Sequence, residues 1–361
     1  MERDIPLVEA FPRVRLGHAP IPIDTAPALS EALGVEVSIK RDDCTGIAFG
    51  GNKVRQLEFY LGEAKRNDAD TILITGAIQS NFVRVAAAAA RQLGMDIHIQ
   101  LEERVPDVDP IYRASGNVLL DKLLGAQLHW YTSGDDEAAA DASLEALAAR
   151  LAADGHRPYV IHLGIEAPPL GGLGYVVAAN ELAEQIDKRS LSFDTIVVAS
   201  GSGLTHAGLL VGLRARGVSI PVIGVCVRRG ATLQHARIVR RAKEIEALIE
   251  RPDAVSLSDV QVIDSVLSPG YGKLNLETHS AISMAARLEG LFLDPVYTGK
   301  TMAGLMHLVT TGEIPRGNRV LFVHTGGLPA LFGYERSLCE HLNDIGPDAH
   351  SGPASVARGT I

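Results

Sequence analysis

Short apolar runs rich in β-branched residues alternate with longer Ala- and Leu-rich amphipathic runs along almost the whole chain. The short runs predict strands at 35–40, 71–75, 96–101, 127–131, 159–162, 195–199, 222–227 and 320–324. The longer ones predict helices at 52–66, 81–93, 113–124, 135–153, 172–186, 204–214, 230–249, 276–288 and 300–310. Strand–helix alternation at this spacing means βαβ crossovers, hence an α/β protein with parallel sheets flanked by helices on both faces. The uncharged run 195–213 approaches membrane-spanning length, but Gly201-Ser202-Gly203 and Thr205-His206 interrupt it. It reads as strand, turn and helix, and no membrane association is expected.

Breaks in the pattern suggest two domains. The Pro- and Gly-rich stretch from Gly164 to Gly172 would stop a helix and a central strand alike, and a second seam lies near Phe49-Gly50-Gly51. A small domain over 52–162 is therefore expected inside a large one made of 1–51 and 163–361. Within the latter, 344–361 is poor in apolar residues and reads as an extended or mobile tail.

Composition changes this picture little. The 34 basic and 43 acidic residues give net −9 and no basic block beyond the pairs Arg228-Arg229 and Arg240-Arg241, which argues against nucleic-acid binding. Those pairs read as solvated positions. Three widely spaced cysteines (Cys44, Cys226 and Cys339) form no metal or disulfide pattern, and the acidic N-terminus lacks an apolar core. A cytoplasmic protein with reduced thiols is expected. The twelve histidines are scattered without ligand spacing, so no metal site is expected.

Candidate chemistry gathers in three places. Lys53 follows the pair Gly50-Gly51 at the mouth of a predicted helix, where the helix dipole disfavours positive charge. Converting that lysine to an imine with a phosphate-bearing aldehyde removes the conflict, and the glycines let backbone approach a planar ligand. The turn Gln79-Ser80-Asn81 supplies amide and hydroxyl groups beside it. Second, Ser200-Gly201-Ser202-Gly203-Leu204-Thr205 lies between a strand and a helix, where exposed N–H groups would receive a phosphate. The same sequence would also serve simply as a tight strand–helix turn. Third, Tyr271, Tyr297 and Thr325 lie in glycine-rich turns at element ends, where α/β active sites gather and where ordinary turn packing also places such residues.

Taken in order, Arg41-Asp42-Asp43, Gly50-Gly51-Asn52-Lys53, Gln79-Ser80-Asn81 and Asp294-Pro295-Val296-Tyr297 resemble the pyridoxal-5′-phosphate enzymes of the tryptophan synthase β-type fold (fold type II). The group containing D-cysteine desulfhydrase, L-cysteate sulfo-lyase and 1-aminocyclopropane-1-carboxylate deaminase is the most similar. The resemblance implies a homodimer whose Lys53 carries the cofactor as a Schiff base. It implies that Asn81 meets the cofactor's 3′ oxygen, that Ser200, Gly201, Ser202, Gly203, Leu204 and Thr205 hold its phosphate, and that Thr325 sits near the pyridine nitrogen. Gln79 and Ser80 would face the substrate carboxylate, with Asn81 and Phe82 beside them, while Tyr271 and Tyr297 would stand over the reacting carbons.

Ring-opening deaminases of this group carry glutamate and leucine where this chain has Thr298 and Thr325. A threonine beside the pyridine nitrogen leaves it neutral, a weaker electron sink that suits loss of a leaving group from Cβ. The resemblance thus implies β-elimination from a small amino acid such as D-cysteine or L-cysteate, giving pyruvate, ammonia and sulfide or sulfite. The alternatives are ring-opening deamination, racemisation and a catalytically silent cofactor-binding protein. Phe82 stands where the group usually has His or Gln. Facing the pocket, it would favour a less polar substrate side chain; turned into the core, it carries no such meaning.

Overall fold

The computed structural model describes residues 6–345 except Asp135. Ten strands form two sheets: β1 (Ile23–Thr25), β2 (Glu36–Lys40), β3 (Thr71–Ala77), β4 (Asp96–Glu102), β5 (Gln127–Tyr131), β6 (Pro158–Ile161), β7 (Thr195–Ser200), β8 (Val222–Cys226), β9 (Gln261–Ile263) and β10 (Arg319–Val323). The order is β5-β4-β3-β6 in one sheet and β1-β2-β10-β7-β8-β9 in the other. Every pairing is parallel except that of β1 with β2. All seven residues of β3 and all six of β7 are buried, as central parallel strands covered on both faces require.

The four-stranded sheet packs its own apolar cluster, including Ile72, Ile74, Ile97 and Ile99. Two further clusters cover the six-stranded sheet, one around Ile196, Val198 and Leu321 and the other around Val197, Val320 and Phe322. Helix Asn52–Arg66 serves both sides: Val54, Leu57 and Leu61 join the first cluster, and Phe59 the second. It crosses helix Leu170–Arg189 so closely that a Cβ on Gly174 would lie 2.2 Å from Arg55 O. The same crossing accounts for Gly171, where a Cβ would lie 2.7 Å from the Tyr60 ring, while Gly172 makes room for Ile245 of helix Ala231–Leu248. The last residues of the Gly164–Gly172 stretch thus begin a helix where the pattern expects a break.

Other departures are local. The helix expected over 113–124 is a 3-10 turn, Pro110–Arg113, followed by Asn117–Leu123. Gly116 between them has φ 61°, and a Cβ there would strike Gln79 Oε1 at 2.5 Å. The short elements β1, β9 and helix Pro27–Leu33 carry too few residues for a period to emerge. Helix Glu335–Ile345 takes in the first two residues of the expected tail, and the rest of that tail lies outside the described residues. No helix among the described residues is long and apolar enough to cross a membrane.

Candidate active site

The carboxyl ends of β3, β7 and β10 open onto one cavity between the sheets, lined there by Gly76, Ala77, Ala199 and Thr325. Such strand ends are where open α/β sheets bind ligands. The backbone of Gly51 (φ 108°) runs against Thr325, and Asn52 N donates to Thr325 O at 3.1 Å. This contact fixes the start of helix Asn52–Arg66 beside β10 and aims Lys53 into the cavity. Lys53 Nζ donates to Gln56 Oε1 (3.2 Å) and lies 4.9 Å from the Phe82 ring centroid. Burial moves its pKa down to about 8, so far more of the amine is neutral than at an ordinary lysine.

The acidic motif before it is scaffold. The Asp42 carboxylate accepts from Arg55 (3.0 Å) and from the Tyr175 hydroxyl, while Arg41 binds Asp43 and Asp24. Thr45 Oγ1 accepts from Gly51 N at 2.8 Å and holds the glycine turn in place.

Helix Asn81–Gln92 begins at the cavity wall, and Ser80 Oγ accepts from Phe82 N (3.2 Å) and Val83 N (3.5 Å) as its cap. Ser80, Asn81 and Phe82 all line the cavity. Asn81 Oδ1 accepts from Arg84 (3.0 Å) and Asn117 (3.0 Å), so the fully buried Arg84 orients it. Gln79 does not line the cavity, contrary to the expected contact with substrate. Its Nε2 donates to Tyr112 O (2.6 Å) and Ser115 O (2.9 Å), and its Oε1 accepts from Asn117 N (2.9 Å). Phe82 answers both of its expectations at once. It belongs to the core cluster beside Tyr60, and the same ring forms cavity wall under Lys53.

On the opposite wall, Gly201, Ser202, Gly203 and Thr205 line the cavity at the N-terminus of helix Leu204–Ala215. Ser200 and Leu204 are not lining residues. The Ser200 hydroxyl lies 3.1 Å from His206 Nδ1 and accepts from Gln234 Nε2 (2.9 Å). Thr205 Oγ1 accepts from Asn52 (2.8 Å) and Gln56 (2.9 Å), which joins this loop to the lysine helix.

Tyr271 and Tyr297 also line the cavity, their hydroxyls 2.9 Å apart and their rings edge to face. Burial pushes the Tyr297 phenol well above its ordinary range. The loop carrying Tyr271 is held by the buried Lys300, whose Nζ donates to Leu267 O (2.9 Å) and Gly270 O (2.7 Å). Asp294 accepts from the backbone N–H groups of Val296, Tyr297 and Thr298, which accounts for the Asp-Pro-Val-Tyr run. Thr298 spends its hydroxyl on Asp294 and stays out of the cavity, whereas Thr325 lines it.

Four polar lining residues have no site role in the sequence reading: Asn52, which enters only within its motif, Arg104, Glu137, and Arg228, read as solvated. Arg104 and Arg228 each stand two residues beyond a strand, β4 and β8, and that placement was the available signal. Reading Arg228-Arg229 as solvated is wrong, since both side chains are about four-fifths covered (15% and 19% exposed). Of the second pair, Arg241 is buried (3%) and Arg240 exposed (43%).

These walls fit pyridoxal phosphate. A lysine shifted towards neutrality offers an amine for an aldehyde, the helix N-terminus behind Gly201-Ser202-Gly203 suits a dianion, and the small lining residues Gly76, Ala77, Ala199 and Gly326 leave room for a planar ring.

A family model described as "Pyridoxal-phosphate dependent enzyme" matches residues 14–326. D-cysteine desulfhydrase of Salmonella newport is 42% identical over 324 residues, 90% of this chain and 96% of that protein, and the Salmonella heidelberg protein matches equally. A crystal structure of an ACC deaminase homologue superposes with TM-score 0.84 at 36% identity, covering 95% of this chain and 100% of the other. An L-serine ammonia-lyase from Rhizomucor miehei shares the fold at TM-score 0.62 and 17% identity, over 91% of this chain and 98% of the other. A matched segment spanning most of the chain, a relative this similar over nearly its full length, and a cavity built around a lysine agree: this protein belongs to the pyridoxal-phosphate-dependent enzymes of fold type II.

Proposed function

We propose that the enzyme catalyses β-elimination with deamination of a small β-substituted amino acid, releasing pyruvate and ammonia. One observation carries the reading: an amine with pKa about 8 and a hydrogen-bonded pair of phenols line one cavity. The Salmonella relatives named D-cysteine desulfhydrase support it. Pyridoxal phosphate, when bound, supplies an aldehyde for the substrate's amino group and an electron sink for the charge left at Cα.

In this reading Asn81, fixed by Arg84 and Asn117, orients the cofactor ring, and the Gly201–Thr205 loop takes the phosphate. Ser80 meets the substrate carboxylate. Lys53 Nζ removes the Cα proton of one enantiomer, and the Tyr271–Tyr297 pair serves the other face. Thr325, a hydroxyl and not a carboxylate, leaves the pyridine nitrogen neutral and favours departure from Cβ over ring opening. The unit built on β3–β6 acts as an inserted small domain, and the active form is a homodimer. Three unpaired cysteines suit a cytoplasmic setting.

The test is pyruvate release from D- and L-cysteine, cysteate, β-chloroalanine and serine, with 1-aminocyclopropane-1-carboxylate alongside. Pyruvate from at least one β-substituted substrate is expected. Formation of 2-oxobutanoate alone would contradict the proposal.

A further inference from the structure

The wall beside Tyr271 carries more positive charge than the residues around it balance. Arg104 pairs with Glu102 at 2.8 Å, and Glu102 also accepts the Thr75 hydroxyl. Arg228, Arg229 and Arg237 all converge on one carboxylate, Glu137. Four guanidinium groups thus share two carboxylates in a largely water-excluded place, where the imbalance is costly. Arg228 shows the strain: after burial itself, repulsion from Arg104 lowers its pKa more than attraction by Glu137 raises it.

The four arginines divide by what they hold. Arg229 donates to Gly201 O (3.2 Å) and Arg237 to Ser202 O (2.8 Å), so these two brace the loop on the opposite wall. Arg104 and Arg228 instead line the cavity itself, together with Lys53 and Tyr271. Both also line an adjoining recess with Tyr271, Arg229 and Lys273, so the positive wall continues outward from the reacting centre. Phe82 is absent from that recess and lies under Lys53, so it does not make this side of the cavity apolar.

We propose that Arg104 and Arg228 form an anion subsite for the group on the substrate's β-carbon. The preferred substrate is then an amino acid bearing a second negative charge there, a sulfonate, sulfate ester or phosphate ester. The inference rests on the β-elimination reading and narrows it. Lys53 takes the Cα proton, and the electron pair of the Cα–H bond forms the Cα–Cβ double bond. The bond from Cβ to sulfur or to the ester oxygen breaks, and its electron pair leaves with the anion as sulfite, sulfate or phosphate. Water then replaces the amino group, giving pyruvate and ammonia, and no outside oxidant or reductant enters. The guanidinium groups offset the charge that gathers on the departing group.

Kinetics of the holoenzyme test this with cysteate, O-sulfoserine and O-phosphoserine as the anionic arms and cysteine and β-chloroalanine as the neutral ones. At least one anionic substrate is expected to exceed both neutral ones in kcat/KM by about tenfold or more. In Arg228→Gln the anionic substrate should lose ~10²-fold in kcat/KM, β-chloroalanine less than about tenfold, and Arg228→Lys should recover part of the loss. Cofactor absorbance and occupancy should stay as in the unmodified enzyme. A preference for neutral substrates, equal losses in both arms, or loss of cofactor from Arg228→Gln would overturn the subsite. If no substrate yields pyruvate, the β-elimination reading fails separately, and calorimetric titration with sulfite decides the subsite. Binding weakened in Arg228→Gln supports it; absence of binding refutes it.

Discussion

Replacing Gln79 by alanine separates a structural role from a substrate contact at the Gln79-Ser80-Asn81 turn. The side chain is 2% exposed and satisfies two carbonyls and one amide of the segment from Tyr112 to Asn117. Each such bond contributes roughly 1 kcal/mol net, and a buried group left unpaired costs about 1–3 kcal/mol. Water entering the vacated space offsets part of that, so a loss of ~3–5 kcal/mol is expected. With an unfolding entropy of about 2.1 cal/mol/K per residue over 361 residues, each kcal/mol corresponds to about 1.3 °C. Scanning calorimetry of the holoenzyme should therefore show Tm lowered by ~4–7 °C, with KM changed less than about threefold. An unchanged Tm with KM raised tenfold or more would refute the structural role and return Gln79 to the substrate.

Gly51→Ala forces a Cβ to within 2.9 Å of Thr325 O at φ 108°, so the helix start must shift and Lys53 with it. Turnover is expected to fall ~10²-fold, and near-normal kcat would show that the Gly51–Thr325 contact does not set the lysine. Lys300→Met removes the ammonium that ties Leu267 O to Gly270 O, leaves each carbonyl only its backbone donor (Gly270 N and Lys273 N), and loosens the Tyr271 loop. Steady-state kinetics should show kcat lowered by about tenfold or more, and unchanged kcat would detach that loop from catalysis. With the cofactor removed, burial disfavours the Lys53 ammonium, so the reactive neutral amine predominates above about pH 8. The rate of cofactor uptake, followed by absorbance, should rise through that pH and level off. A midpoint near the ordinary lysine value would contradict the burial argument.

The sequence pattern located most elements long enough to show a period, helix Glu335–Ile345 being an exception. The bounds of helix Asn52–Arg66 and strand β5 agree with it residue for residue. It was blind to three-residue strands and to glycines used for packing, since both depend on neighbours distant along the chain. At the cavity, Lys53 was legible as a lysine at a helix mouth behind two glycines, whereas Ser80, Asn81, Tyr271, Tyr297 and Thr325 became legible only through the order of motifs that resembles the family. Gln79 looked equally chemical, and its work as a clip depends on a segment over thirty residues away. Arg228 reads as surface charge and Arg104 carries no signal of its own, because nothing in their neighbours reveals that two strand ends in different sheets face one cavity.

The central claim is that Lys53 is the amine that holds the cofactor. Borohydride reduction of the purified holoenzyme, followed by peptide mass mapping, tests it most directly. One pyridoxyl group is expected, on the peptide containing Lys53. A pyridoxyl group on Lys300 or any other lysine, with Lys53 unmodified, would contradict it.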